Sequence, residues 1–245
     1  MNELVLDQPC ARGSKGARVR MIQEWLTLHR LAVVIDGDYG PATQEAVRRF
    51  QRHSGLGVTG TVDRKTYTGL VAPMAAALAP IAPGGRSLRR LVVAYARQHL
   101  RAGPREVGGQ NAGPWVRLYM DGNQGVQWPW CAGFACFVLR QACAALAAPT
   151  PIQPSFSCDS LAASARVRGV FVPKASHGTA PPVRAGAFFL NRRTETDWDH
   201  TGIVLRVRND GFDTIEGNTN DEGSREGYEV CRRVRGYGGK DFVRI

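Results

Sequence analysis

Long hydrophobic runs are missing from this chain. None approaches the ~18 residues that a membrane-spanning helix needs, and residues 1–9 carry two acids and no basic side chain. A transmembrane helix and a Sec signal peptide are therefore not expected, and a role outside the cytoplasm requires another route of delivery. Gly and Pro together make up about 17 % of the 245 residues, too little for a collagen-like or low-complexity protein. Cysteine is scarce: six residues, at positions 10, 131, 136, 143, 158 and 231. They include no Cys-x-x-Cys pair and no Cys/His cluster with metal-ligand spacing, which argues against a disulfide scaffold and a structural zinc site. Acidic residues are also in deficit. Against 32 Lys and Arg stand 21 Asp and Glu, a net charge of +11. That excess fits an anionic partner, whether nucleic acid, an anionic membrane face or an acidic wall polymer. No basic arm or strand with interleaved aromatics singles out nucleic acid.

The length corresponds to one large or two small domains. Residues 73–86, "PMAAALAPIAPGGR", have no periodic polar face and read as a linker between residues 1–72 and 87–245. The first segment holds a short repeat. Gly37, Tyr39 and Thr43 recur as Gly60, Val62 and Thr66, a glycine followed by an apolar residue two on and a threonine six on. Each copy is a turn feeding a helix. Pro41 suits the first turn of one, ahead of Val47 and Phe50, and Asp63 can cap the other, ahead of Tyr67 and Leu70. Upstream, Val19, Ile22, Trp25 and Leu26 give a third helix at 3.6-residue spacing. A small all-α three-helix domain follows.

The motifs "VRMIQEWL", "DGDYGPATQEAVRRFQRHSGL" and "VTGTVDRKTYTGL", preceded by Gly16, resemble the three-helix peptidoglycan-binding domain of wall hydrolases over about residues 13–72. The resemblance implies a non-catalytic wall anchor.

The second segment begins with a helical pattern from Ser87 through Leu91, Val92, Tyr95 and His99. After a Gly- and Asn-rich loop, a second helix begins at Cys131 and places Phe134, Ala135, Val138 and Ala142 on one face. Beyond about residue 183 the pattern changes to short β-branched or aromatic runs, "AFFL", "HTGIVLRVR", "GFDTIEGN" and "YEVCRRVR", separated by turn residues. Helices first and antiparallel strands after make an α+β layout.

Cys131 stands at a helix start, where free backbone N–H groups and the dipole favour thiolate. A cysteine nucleophile also needs a histidine base and a group that orients it. His200 begins a strand on which Gly202, Val204 and Arg206 share its face. Which face Glu216 takes depends on the following loop. A two-residue loop at Asp210 and Gly211 turns Glu216 away from His200. A three-residue loop at Asn209–Gly211 puts Glu216 and Asn218 on the His200 face, Asn218 ~7 Å and Glu216 ~13 Å from its cross-strand position. Flat-sheet geometry favours Asn218 as the orienter, and Glu216 requires twist or a bulge; both are retained as candidates. Cys136, Cys143 and Cys158, with His29, His53, His99 and His177, are read as structural.

Together "PWCAGF", "HTGIV" and "IEGN" resemble the cysteine, histidine-dependent amidohydrolase/peptidase (CHAP) family, related to NlpC-type and papain-like peptidases, over about residues 88–236. The resemblance implies a papain-like α+β catalytic domain with Cys131 as nucleophile, His200 as base, and Glu216 with Asn218 as orienters. "REVGGQNAGPWVRLY" resembles the loop that precedes the nucleophile in phage-associated members. Gly186-Ala187 departs from the Gly-Asp that many relatives carry before the histidine strand. Some relatives bind calcium, but Asp121 and Asn123 are too sparse for an oxygen-ligand site. No metal or cofactor is expected.

The reading is a two-domain peptidoglycan hydrolase that cleaves an amide of the stem peptide, with N-acetylmuramoyl-L-alanine amidase favoured over endopeptidase. Its expected partner is peptidoglycan, not nucleic acid, and the expected state is a monomer. Made in the cytoplasm, it would act in the periplasm or wall, as a phage endolysin released through a holin. The alternatives are an injected antibacterial effector with an immunity protein, a catalytically inactive wall binder, and a nucleic-acid-binding protein that uses the charge alone.

Overall fold

The computed structural model describes residues 3–174, 182–220 and 227–245, so His177 lies outside the described residues. In chain order the helices are α1 (Ala17–Leu28), α2 (Pro41–His53), α3 (Arg64–Leu78), α4 (Leu88–Ala102), α5 (Pro114–Tyr119), α6 (Cys131–Ala145) and α7 (Cys158–Val167). The strands are β1 (Phe171–Val172), β2 (Phe188–Arg192), β3 (Trp198–Val207), β4 (Phe212–Thr219), β5 (Glu229–Arg235) and β6 (Lys240–Val243). The chain divides into two compact units, Met1–Leu78 with Arg105–Val126, and Ala79–Pro104 with Gln127–Ile245.

In the first unit the repeat is a pair of knots, each tied by a buried glutamine. Gln23 Nε2 donates to the Asp38 carbonyl at 3.0 Å and Thr43 Oγ1 at 3.2 Å, while its Oε1 accepts from the Gly37 N–H at 2.8 Å. Gln51 does the same one repeat later. Its Nε2 reaches the Thr61 carbonyl at 2.9 Å and Thr66 Oγ1 at 3.0 Å, and its Oε1 accepts from the Gly60 N–H at 2.9 Å. This explains the threonine six residues after each glycine: its hydroxyl completes the amide's shell. A buried amide left unpaired would cost about 1–3 kcal/mol. The apolar residues between them, Tyr39 and Val62, are fully buried, and Pro41 opens α2. Asp63 Oδ1 accepts from the Thr66 N–H at 2.8 Å, capping α3.

Two expected boundaries differ. Residues 73–78, read as linker, continue α3 through an internal Pro73, because Met74 and Ala77 stay on the buried face. Residues 105–126, read as part of the second domain, pack with the first unit. Trp115 meets Trp25 edge-on at 6.1 Å. Arg117 binds Glu3 and Glu24, each at 2.6 Å.

The second unit is α+β, as its patterning predicts. Its strands form one antiparallel sheet in the order β1-β6-β2-β3-β4-β5, and α6 packs on α4 and on the central strands β3 and β4. Strands β1 and β6 were not anticipated, being 2 and 4 residues long. No helix among the described residues is long and apolar enough to cross a membrane.

Candidate active site

Cys131 is the first residue of α6, so the backbone N–H groups of that turn have no intrahelical acceptor. The helix start is fixed from the sheet side. Asn218 Oδ1 accepts the Trp130 N–H at 2.6 Å, and Asn218 Nδ2 donates to the Gly227 carbonyl at 2.8 Å. Asn218 sits at φ 55°, outside strand geometry, and both ends of its amide are engaged. Beside it, Gly217 lets β4 approach α6: a Cβ there would lie 2.8 Å from the Trp130 ring and from Phe134.

His200 sits on β3 and is 7 % exposed. Its Nε2 pairs with Glu216 Oε2 at 2.8 Å, and Cys131 acts on the same ring, raising its pKa. Glu216, not Asn218, therefore orients the imidazole, and the flat-sheet expectation is corrected. The hairpin pairs Val207 with Phe212 and Arg206 with Asp213; continued unbroken, that register would place Glu216 opposite Ile203, on the wrong face. A bulge at Leu205 resets the pairing to Val204–Thr214 and Ile203–Ile215. One inserted residue turns every later side chain to the other face, so Glu216 comes opposite Gly202, on the His200 side. Gly202 then clears the diagonal, since a Cβ there would lie 2.6 Å from Glu216 Cγ.

Three contributors escaped the sequence reading. Arg235 on β5 binds Glu216 with two donors, Nε to Oε1 at 2.9 Å and Nη2 to Oε2 at 2.6 Å. Thr214 Oγ1 donates to Glu216 Oε1 at 2.5 Å. Cys158, assigned above to the structural cysteines, starts α7 with its Sγ 4.0 Å from Cys131 Sγ. Asp159 holds that helix start to β3 by accepting the Trp198 N–H at 2.8 Å. The signal for Arg235 was available: a glutamate on a buried face requires a cation, and β5 is rich in arginine. Nothing local marks Cys158, 27 residues from its neighbour. Cys136 and His99 have structural partners. Cys136 exchanges two 3.4 Å hydrogen bonds with the Ser155 backbone, and buried His99 pairs with Gln141 at 2.7 Å.

The electrostatics follow from these contacts. The hydrogen bond from Cys158 lowers the Cys131 thiol well below its ordinary value; burial opposes this, and His200 and the Thr201 N–H add to it. Burial acts to lower His200, but bonds to Cys131 and Glu216 outweigh it and raise the imidazole to about 9. Burial likewise acts to raise Glu216, and donation from Arg235 and His200 overrides it, holding the carboxyl at about 2. Between those limits the arrangement is a thiolate beside an imidazolium, backed by an ionised glutamate. Chemically that is a nucleophile with a proton donor.

Elsewhere in this unit the basic charge gathers in a groove of about 820 Å³ lined by Arg86, Arg89, Arg90, Arg97, Arg101 and Arg184. None of the six has an ion-pair partner among the described residues.

Comparison with known families places a match on the first unit. Residues 15–70 fit the family model described as "Putative peptidoglycan binding domain". The matched span contains both glutamine knots, and it supports peptidoglycan as a ligand and an association with the cell wall. A comparison with curated proteins gives no match.

Proposed function

We propose that the chain is a peptidoglycan hydrolase in which a wall-binding unit is joined to a papain-like cysteine amidase or endopeptidase of the CHAP/NlpC type. The observation that carries this reading is His200, held by Glu216 at 2.8 Å and raised by Cys131 at the start of α6. A structural cysteine has no need of an oriented imidazolium.

In this mechanism the Cys131 thiolate attacks an amide carbonyl of the stem peptide. The developing oxyanion is stabilised by the Cys131 N–H at the start of α6. The imidazolium of His200 gives its proton to the leaving amine as the C–N bond breaks. Neutral His200 then takes a proton from water, which attacks the thioester, and the released thiolate restores the starting pair. Glu216 keeps the ring in one orientation and stabilises its charge, while Arg235 and Thr214 hold the carboxylate in place. The binding unit keeps the site near its polymer and raises its effective concentration. The arginine groove offers a second contact to the anionic wall.

The favoured bond is the N-acetylmuramoyl-L-alanine amide, and the favoured setting is a phage endolysin acting on the wall after release through a separate pore. Incubation of the full chain with purified sacculi, followed by mass spectrometry of the soluble products, tests both the activity and the bond. Free stem peptides support the amidase. New amines on D-Glu or diaminopimelate would move the reading to endopeptidase. Sacculus binding without any soluble product, from a chain shown folded by circular dichroism, would leave a wall-binding protein and remove the hydrolase.

A further inference from the structure

We infer that Cys131 and Cys158 form a reversible redox pair, closed to a disulfide by hydroperoxide and reopened by a dithiol. The inference deepens the proposed function, because the thiol that is consumed is the proposed nucleophile.

The geometry carries it. The two sulfurs are 4.0 Å apart and each residue is the first of its helix, α6 or α7. A disulfide bond is about 2.05 Å long, so about 2 Å of closure is divided between two side-chain torsions. Both residues are almost buried, Cys131 at 4 % and Cys158 at 7 % exposure, which admits a water-sized oxidant more readily than a bulky thiol. Cys136 is spoken for by the Ser155 backbone, so Cys158 is the thiol set to resolve a modified Cys131. The two groups are also polarised in opposite senses. Cys158, donating into Cys131 and buried, stays protonated well above the ordinary thiol range, whereas Cys131 is a thiolate.

The chemistry balances with hydrogen peroxide as the oxidant. The Cys131 thiolate attacks one peroxide oxygen, an S–O bond forms and the O–O bond breaks. The departing hydroxide takes the proton of the His200 imidazolium and leaves as water. Cys131 is now a sulfenic acid and His200 a neutral base. His200 accepts the Cys158 proton, the Cys158 sulfur attacks the Cys131 sulfur, and the S–O bond breaks. The second hydroxide recovers the proton from His200 and leaves as water. Two thiols are oxidised by two electrons in all, and one peroxide is reduced to two waters.

The disulfide would serve two ends. It removes the nucleophile, so the hydrolase is off while oxidised. It also stops Cys131 at a state that a dithiol restores, short of the irreversible sulfinic acid.

The test treats the full-length protein with one to ten equivalents of hydrogen peroxide, blocks free thiols with N-ethylmaleimide and maps non-reduced peptides by mass spectrometry. The expected result is a Cys131–Cys158 cross-linked peptide, a fall from six free thiols to four, and a return to six with dithiothreitol. In Cys158→Ser, dimedone should label Cys131, and further peroxide should drive Cys131 to sulfinic acid that dithiothreitol does not reverse. Cys158→Ala repeats that arm if the serine variant fails to fold, and the wild-type map decides without either. Oxidation of Cys131 to sulfinic acid in the wild type, or a cross-link that bypasses Cys158, would overturn the inference. The two readings fail separately. A chain that forms the disulfide but cleaves no muropeptide keeps the redox pair and loses the hydrolase. A chain that cleaves muropeptides but forms no disulfide does the reverse.

Discussion

Each unit of this protein pairs a half-buried arginine with buried glutamate, and the two clusters behave differently. In the first, Arg117 serves both Glu3 and Glu24, and the network runs on to Arg20 and Gln124, neither of them a nucleophile. In the second, Arg235 and His200 both serve Glu216, and the network continues through His200 to a thiol. The carboxylates record the difference. Burial raises Glu3 above its ordinary value even with Arg117 beside it, since one guanidinium is shared by two acids. Glu216 is more deeply buried than Glu3 yet held at about 2, because two cations converge on one acid. Shared residue types thus give a structural clamp in one place and a charged relay in the other. What separates them is whether the chain of hydrogen bonds ends on a titratable nucleophile.

The largest test of that contrast removes the nucleophile. Cys131→Ala should lower muropeptide cleavage by about 10⁴-fold or more, and His200→Ala should do the same, because each makes or breaks a bond in the proposed reaction. Melting temperature should change little for Cys131→Ala. Arg117→Met should leave kcat on a soluble muropeptide within about twofold while costing the first unit about 3 kcal/mol, since two buried acids lose the guanidinium that bridges them. Urea unfolding followed by tryptophan fluorescence reads that cost through Trp25 and Trp115. Activity that survives Cys131→Ala, or that collapses with Arg117→Met in a folded chain, would dissolve the distinction.

Glu216→Gln sharpens it further. The amide still fills the space but neither anchors Arg235 as a charge nor stabilises an imidazolium, so kcat should fall about 10²-fold. The pH profile is the more specific readout. In the wild type the imidazolium acid is present below about 9, so cleavage should hold through neutral pH and decline above that value. Iodoacetamide alkylation of Cys131 should not share the alkaline decline, because it needs thiolate and no acid. Both should fall at acid pH as the thiolate is protonated. In Glu216→Gln the alkaline limb should move down toward the ordinary histidine value of about 6.5. A limb that stays at 9 would mean that Glu216 does not hold the charge of His200. Stability carries the same signature. A carboxyl whose folded value lies below its unfolded value stabilises above the unfolded value of about 4.5 and loses that contribution as pH falls toward 2. Glu3, shifted the other way, contributes no such protection.

How much of this was legible in the sequence depends on range. Helices α1, α2 and α3 of the first unit and the helix at Cys131 follow from 3.6-residue apolar spacing, and the Gly–Thr repeat is visible without its glutamines. The repeat's cause lay 14 residues from Gly37 and 9 from Gly60, on preceding helices, where spacing alone gives no pairing. The α3 boundary differs because residues 73–78 show no periodic polar face, although burial of Met74 and Ala77 carries the helix through Pro73. Residues 105–126 were placed with the wrong unit for a similar reason: Trp115 and Arg117 say that something is covered, not what. A fragment ending at residue 80 would therefore bare Trp25, Glu3 and Glu24, so wall binding is better measured on full-length Cys131→Ala. At the site, the face of Glu216 turned on one bulged residue. Alternation reads strands two residues at a time, and a single insertion at Leu205 leaves no mark in composition.

Asn218 gives the smallest expected effect and the finest test. Flat-sheet geometry favoured it as the orienter, but its amide ties the Trp130 N–H to the Gly227 carbonyl and does not touch His200. Asn218→Ala should therefore act on the placement of Cys131, not on the charge of the imidazole. Two buried backbone groups lose a partner, at a cost of about 1–3 kcal/mol. Cleavage should fall less than about tenfold, against about 10²-fold for Glu216→Gln, and the alkaline limb should stay near 9. Alkylation of Cys131 should slow slightly as the start of α6 loosens. If the limb instead moves down as far as in Glu216→Gln, Asn218 bears on the histidine after all, and the relay through Glu216 and Arg235 is not its sole support.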